Sequence, residues 1–153
     1  MAMQQLNLPA HSFRLREHEN KKEIFDAIRH KFVALTPEEW VRQHFIHFLI
    51  EELKVPPIML AIEKSLRLNT MTKRTDILVY GSGGKPLMIV ECKAPEVKIS
   101  QSVFEQIGRY NMALQVRYLA VSNGLEHYCA RIDFEQETYT FLEKIPTYEE
   151  MKG

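Results

Sequence analysis

Asp76-Ile77-Leu78-Val79-Tyr80-Gly81-Ser82-Gly83-Gly84-Lys85-Pro86-Leu87-Met88-Ile89-Val90-Glu91-Cys92-Lys93 contains two apolar runs separated by a glycine-rich break. Short runs rich in branched side chains and bounded by turn residues predict two buried strands folded into a hairpin. Side chains alternate across a strand, so Glu91 and Lys93, two residues apart, share one face at the rim of the second strand. Asp76 opens the first strand and is placed to reach Glu91 across the ladder. Two carboxylates converging on one point suit a hard divalent ion such as Mg²⁺, which binds through one or two carboxylates and accepts phosphate oxygens from a substrate. A phosphate-cutting site is therefore the chemical expectation, weighed against a solvated Glu/Lys pair at a strand end.

The turn Gly81-Ser82-Gly83-Gly84-Lys85-Pro86 is not a phosphate-cradling loop. Such a loop needs Ser or Thr after its Lys and a helix to receive the phosphate, whereas Pro86 leads into a strand. A hairpin turn accounts for the glycines.

Upstream, Thr36-Pro37-Glu38-Glu39 is a helix start, with Thr36 as N-cap and Pro37 at the first helical position. The helix is expected to reach about Leu53. Val41, Phe45, Phe48 and Leu49 line its apolar face, widened by Ile46, Ile50 and Leu53, while Glu39, Gln43, His47 and Glu51 recur four apart on a polar face expected to meet solvent. His47 and Glu51 also have the spacing of a helical metal-ligand pair, with His44 one turn earlier. Residues 3–35 mix polar and apolar positions, with a short helix expected at 23–29. Val55-Pro56-Pro57 ends the long helix, and residues 58–68 are expected to form a short helical turn and then an extended segment.

Downstream, Ser100 is a fair N-cap for a helix to about Gln115, with Val103, Phe104, Ile107, Met112 and Leu114 as core candidates. Strands follow at 117–122, 126–132 and 138–142, with Asn123-Gly124 as a turn. The order predicts an α/β sandwich with a mixed central sheet flanked by helices.

The 153 residues fit one domain with a sizeable core and are 45% hydrophobic and 26% charged, an ordinary balance for a globular protein. Twenty Lys and Arg offset twenty Asp and Glu, so a nucleic-acid substrate would need a local basic patch. Lys64, Arg67, Lys73, Arg74 and Lys98 are the candidates. Cys92 and Cys129 fall within predicted strands and read as packed, reduced thiols. No run is long enough to span a membrane, and the first residues lack a secretory signal, so a cytoplasmic location without membrane partners is expected.

Asp76, Glu91-Cys92-Lys93 and Gln106-Ile107-Gly108-Arg109-Tyr110 resemble the PD-(D/E)xK nuclease signature with its downstream Gln-x-x-x-Tyr motif. Thr36-Pro37-Glu38-Glu39-Trp40-Val41-Arg42-Gln43, Lys73-Arg74-Thr75-Asp76, Val90-Glu91-Cys92-Lys93-Ala94-Pro95 and Ser122-Asn123-Gly124 resemble the N-terminal nuclease domain of type I restriction enzyme R subunits, over residues 23–145. The resemblance implies a restriction-endonuclease-like sandwich, with a 1–35 extension packed on a 36–145 nuclease-like domain and a 146–153 tail. It implies Mg²⁺, or Mn²⁺ in its place, on Asp76, Glu91 and the Cys92 carbonyl, with Lys93 holding or activating the attacking water. Gln106 and Tyr110, with Gln43 and Arg74, would brace the site or position DNA.

Thr75 stands where the motif has Pro, and Gln43 stands where many relatives carry a helix carboxylate. Glu39 and Glu51 on the same stripe are substitutes for it. Full R subunits continue into an ATP-driven motor, and no nucleotide cofactor is expected for these 153 residues. The implied function is a Mg²⁺-dependent DNA endonuclease working with restriction-system or other protein partners, or as a homodimer cutting both strands. The alternative is a nuclease-fold module that binds nucleic acid or assembles with proteins and cuts poorly. An inert α/β domain with a rim salt bridge is a third reading.

Overall fold

The computed structural model describes residues 3–153, so Met1 and Ala2 of the expected extension lie outside it. The chain opens with an antiparallel sheet of β1 (Leu15–His18), β2 (Lys21–Asp26) and β3 (Lys31–Ala34). The helix expected at 23–29 is therefore a strand and a turn. Burial alternates along β2, with Ile24 and Asp26 fully covered and Glu23 and Phe25 half-buried, which is the two-residue period of a strand covering one face. Glu19 and Asn20 join β1 to β2 at φ 52° and 63°, the paired positive values of a type I′ turn.

Helix α1 (Pro37–Glu51) begins as its sequence predicts, with the Thr36 hydroxyl accepting from the Glu39 amide at 3.0 Å, and it stops at Glu51, short of Leu53. Val41, Phe45, Ile46 and Leu49 are buried. The first half of the polar face does not meet solvent: Glu39 and Gln43 are 5% and 0% exposed, because Asp26 of β2 and Arg29 of the β2–β3 turn lie over them, whereas Glu51 is exposed as expected. A 3-10 turn, Pro57–Met59, then leads to β4 (Leu60–Ile62). The extended segment expected after it divides into β4 and a separate hairpin of β5 (Ser65–Leu68) and β6 (Met71–Arg74).

The expected central hairpin is present as β7 (Ile77–Tyr80) and β8 (Pro86–Cys92). Helix α2 (Gln101–Leu114), capped by Ser100, crosses to β9 (Tyr118–Ser122), which runs parallel to β8. Strands β10 (His127–Asp133) and β11 (Thr138–Leu142) and the short helix α3 (Tyr148–Lys152) complete the chain. The mixed six-stranded sheet has the order β11-β10-β9-β8-β7-β4.

Strand β8 is buried on both sides, as a strand between two helical layers must be. Met88, Val90 and Cys92 pack with Val41, Phe45 and Leu49 of α1, while Ile89 turns to the opposite face with Leu78 and Val116. On that second face Leu119 and Val121 of β9 meet Phe104 and Ile107 of α2. The result is an α/β sandwich, helix on sheet on helix. Both cysteines are free and buried, and burial pushes the Cys129 thiol up to about 12.

Candidate active site

Ile77 pairs with Val90 across the β7–β8 ladder, so Asp76 and Glu91, one step further on, stand opposite each other at its open end. Asp76 Oδ2 accepts from the Cys92 amide at 2.7 Å. An extended residue points its N–H and C=O to the same side, so the Cys92 carbonyl is directed toward the edge where Asp76 lies. Asp76, Glu91, Cys92 and Lys93 line one cleft of about 330 Å³, together with Glu38, Arg42, Glu63, Lys73 and Arg74. The strand alternation that put Glu91 and Lys93 on one rim thus holds in three dimensions.

Glu91 is 5% exposed, and burial, followed by the negative charge of Asp76, pushes its carboxyl up to about 7. Lys73 offsets part of this: its Nζ lies 3.0 Å from Glu91 Oε1. This ammonium is the cationic group nearest the buried oxygen among the described residues. A buried carboxylate oxygen that faces a second carboxylate, with one ammonium beside it, is a donor set that fits an oxygen-loving divalent ion in place of that ammonium. The same Lys73 ammonium sits 5.3 Å from the centre of the Tyr110 ring, which ties α2 to the site. Gln106, one turn earlier on α2, is exposed and does not line the cleft.

Gln43 is not at the cleft. Its amide nitrogen donates to Asp26 Oδ2 and Glu39 Oε2, both at 2.9 Å, within a buried ionic network. Arg29 bonds Asp26 at 2.7 Å and both Glu39 and Glu63 at 3.1 Å. Arg42 grips Glu39 through two nitrogens and also reaches Glu63 at 3.2 Å. It then stands 3.7 Å from Asp76 Oδ1. Arg74 pairs with Glu63 at the exposed edge of this network. Neither proposed substitute lies in the cleft: Glu39 is held by the two arginines, and Glu51 ends α1 far from it.

Glu38 is the carboxylate that sequence reasoning passed over. It lines the cleft, and burial, then the charge of Asp76, raises its pKa above the ordinary value. The signal was available: Glu38 is in the first turn of a helix whose start was clear from Thr36-Pro37, at the end that faces the hairpin rim. Lys73, a basic-patch candidate by sequence, lines the cleft as well. Thr75, in the place of Pro, uses what Pro lacks, because its amide and its hydroxyl both donate to the Lys64 carbonyl, at 2.9 and 2.6 Å.

The Ser122-Asn123-Gly124 corner is a structural joint beside the cleft. Ser122 receives Lys93 N–H on its carbonyl at 2.8 Å, and Asn123 donates to the Val97 carbonyl at 2.9 Å, which fixes the loop after Lys93.

A mixed sheet between two helices, with two facing carboxylates and a lysine at the rim of its central hairpin, defines a restriction-related, nuclease-like domain. Residues 37–146 match the type I restriction enzyme R protein N terminus, and the chain belongs to that family. Among solved structures it is similar to a fragment described as an HsdR subunit of a type I restriction enzyme from Vibrio vulnificus YJ016. The TM-score is 0.54 at 19% identity, over 78% of this chain and 25% of that one. This likeness is one of fold, and the chain spans a quarter of that relative's length. No curated protein matches the sequence.

Proposed function

We propose that this domain is a Mg²⁺-dependent DNA endonuclease that hydrolyses phosphodiester bonds, with Mn²⁺ able to replace Mg²⁺. The observation that carries the reading is the facing pair Asp76 and Glu91 beside Lys93 in one cleft, with Glu91 buried. Asp76, Glu91 and the Cys92 carbonyl would hold the ion, and Glu38 adds a third carboxylate to the same cleft. When bound, Mg²⁺ supplies charge neutralisation at the phosphate and makes water a stronger nucleophile. Lys93 orients the attacking water and meets negative charge developing on the phosphate oxygens. Lys73 exchanges Glu91 for the backbone phosphate as DNA enters, and Arg74 contacts the flanking strand. Arg42 steadies Asp76 from behind. The sequence preference and any motor action would come from restriction-system partners in the cytoplasm, and a homodimer would bring two clefts to the two strands.

One observation favours the second reading, a binding or assembly module: Lys73 already holds Glu91 at 3.0 Å, where an ion would have to displace it. The test is nicking of supercoiled DNA in Mg²⁺ or Mn²⁺, with EDTA and Lys93→Ala as controls and circular dichroism as the check on folding. Nicking that disappears in both controls supports the endonuclease. Ion binding that depends on Asp76, without nicking, selects the module.

A further inference from the structure

His11, His47 and Glu51 each bring a nitrogen or carboxylate oxygen to a point where all three lie within 4.8 Å of one another. They come from two stretches of chain, the segment before β1 and the last turns of α1. His11 Nδ1 is 3.3 Å from Glu51 Oε1. The His11 and His47 rings stack with centroids 3.5 Å apart and planes 17° from parallel. Phe13 closes one side, its ring 4.8 Å from that of His11 and 4.7 Å from that of His44. His11 is only 27% exposed while Glu51 is 51% exposed, so the group is walled by aromatic rings and open to solvent at the carboxylate.

We propose that His11, His47 and Glu51 form a metal site for a late first-row divalent ion of the Zn²⁺ class, separate from the catalytic cleft. Two imidazoles and one carboxylate are a donor set that such ions take in preference to Mg²⁺, which favours oxygen alone. His47 and Glu51 have the four-residue spacing that places two ligands on one helix face. Ligands held at about 2.0–2.1 Å in a tetrahedron stand roughly 3.3 Å apart, the separation His11 and Glu51 already have. Rotation of the imidazole side chains brings in the third donor.

Three protein ligands leave a fourth position for water, reached from the Glu51 side. The site lies at the far end of α1 from Glu38, thirteen residues or roughly 20 Å along the helix axis. A bound ion would tie the N-terminal segment to α1 as a structural staple.

The test uses the full chain stripped of metal and titrated with Co²⁺, followed by visible absorption, and then with Zn²⁺. Expected are tetrahedral Co²⁺ bands that saturate near one equivalent, remain in Asp76→Ala and disappear when Zn²⁺ is added. His47→Ala should weaken Co²⁺ binding by more than about 100-fold, beyond what loss of an outer partner causes. The surface variant Glu51→Gln, which leaves the core intact, should weaken it as well. Zn²⁺ should raise the melting temperature of Asp76→Ala and leave that of Asp76→Ala/Glu51→Gln unchanged. No bands, bands of equal affinity in Glu51→Gln, or bands lost in Asp76→Ala would overturn the proposal, the first leaving a His11–Glu51 ion pair as the whole of the interaction. Loss of nicking has no bearing on the result, so this site and the catalytic reading fail independently.

Discussion

Glu91 and Asp26 are both buried carboxylates, and their surroundings drive them in opposite directions. At Glu91, burial and the charge of Asp76 outweigh the help from Lys73 and raise the carboxyl to about 7. Above that pH the ionised group destabilises the metal-free fold. Replacing Glu91 with Gln should therefore stabilise the protein at pH 8 in EDTA by roughly 1–3 kcal/mol while removing nicking, a trade of stability for function. Urea denaturation of the two proteins measures the first effect, and equal or lower stability of the variant would contradict it. At Asp26, burial pushes the pKa up, but the Arg29 amide and guanidinium and the Gln43 amide overcome it, and the net shift is downward. A depressed pKa gives stability that is present above the ordinary carboxylate range and lost as pH falls through the folded value. Asp26→Asn should cost about 2–4 kcal/mol at pH 7, because Arg29 stays buried with one partner fewer. The acid side of the stability profile, scanned from pH 5 to pH 2, should be flatter in the variant than in the wild type.

Among the elements, the Ser122-Asn123-Gly124 corner offers the sharpest steric test. Gly124 sits at φ +86°, and a Cβ there would meet Leu6 Cδ2 at 2.8 Å. Gly124→Ala should destabilise the protein by about 1–3 kcal/mol through backbone strain and contact with Leu6. In a Leu6→Ala background the strain and a 3.1 Å approach to Val41 Cγ2 remain, so the cost of the same change should shrink without vanishing, which a double-mutant cycle by thermal melting would read. Elements with strong local signals were legible: Thr36-Pro37 for α1, Ser100 for α2 and two apolar runs about a glycine turn for β7 and β8. The β1–β2 hairpin was not, because its turn uses Glu19 and Asn20 at positive φ in place of Asn-Gly, and Glu carries no such signal. The polar face of α1 misled for a related reason. Periodicity identifies a face but not what covers it, and the cover came from residues whose own strands were unread. At the cleft, strand alternation put Glu91 and Lys93 on one rim and the hairpin pairing brought Asp76 opposite Glu91. Glu38 and the Lys73 contact needed the packing of a helix end and a separate hairpin against the sheet.

For the whole molecule, the family match begins at residue 37, yet the physical unit begins earlier. Leu6 and Ile24 are buried, and Asp26 and Arg29 complete the network around Glu39 and Gln43. A chain starting at Thr36 should leave Gln43 without Asp26 and Glu39 without Arg29, should uncover the core under Leu6 and Ile24, and should not unfold cooperatively. Loss of a sigmoidal urea transition would show this, and a sharp transition at wild-type midpoint would refute it. Among the described residues no helix is long and apolar enough to cross a membrane.

The pairing of Asp76 with Glu91 across a hairpin also has a consequence in time. Hairpins close within microseconds, whereas joining β8 to β9 must wait for the α2 crossover and proceeds more slowly. The two like charges consequently meet early, while water still surrounds them and screens their repulsion. Only when α1, β5 and β6 close over the rim does the repulsion acquire its full strength, late on the path to the native state. The penalty of Glu91 should then fall on the rate of unfolding: in a chevron plot, Glu91→Gln should slow the unfolding limb and leave the folding limb where it was.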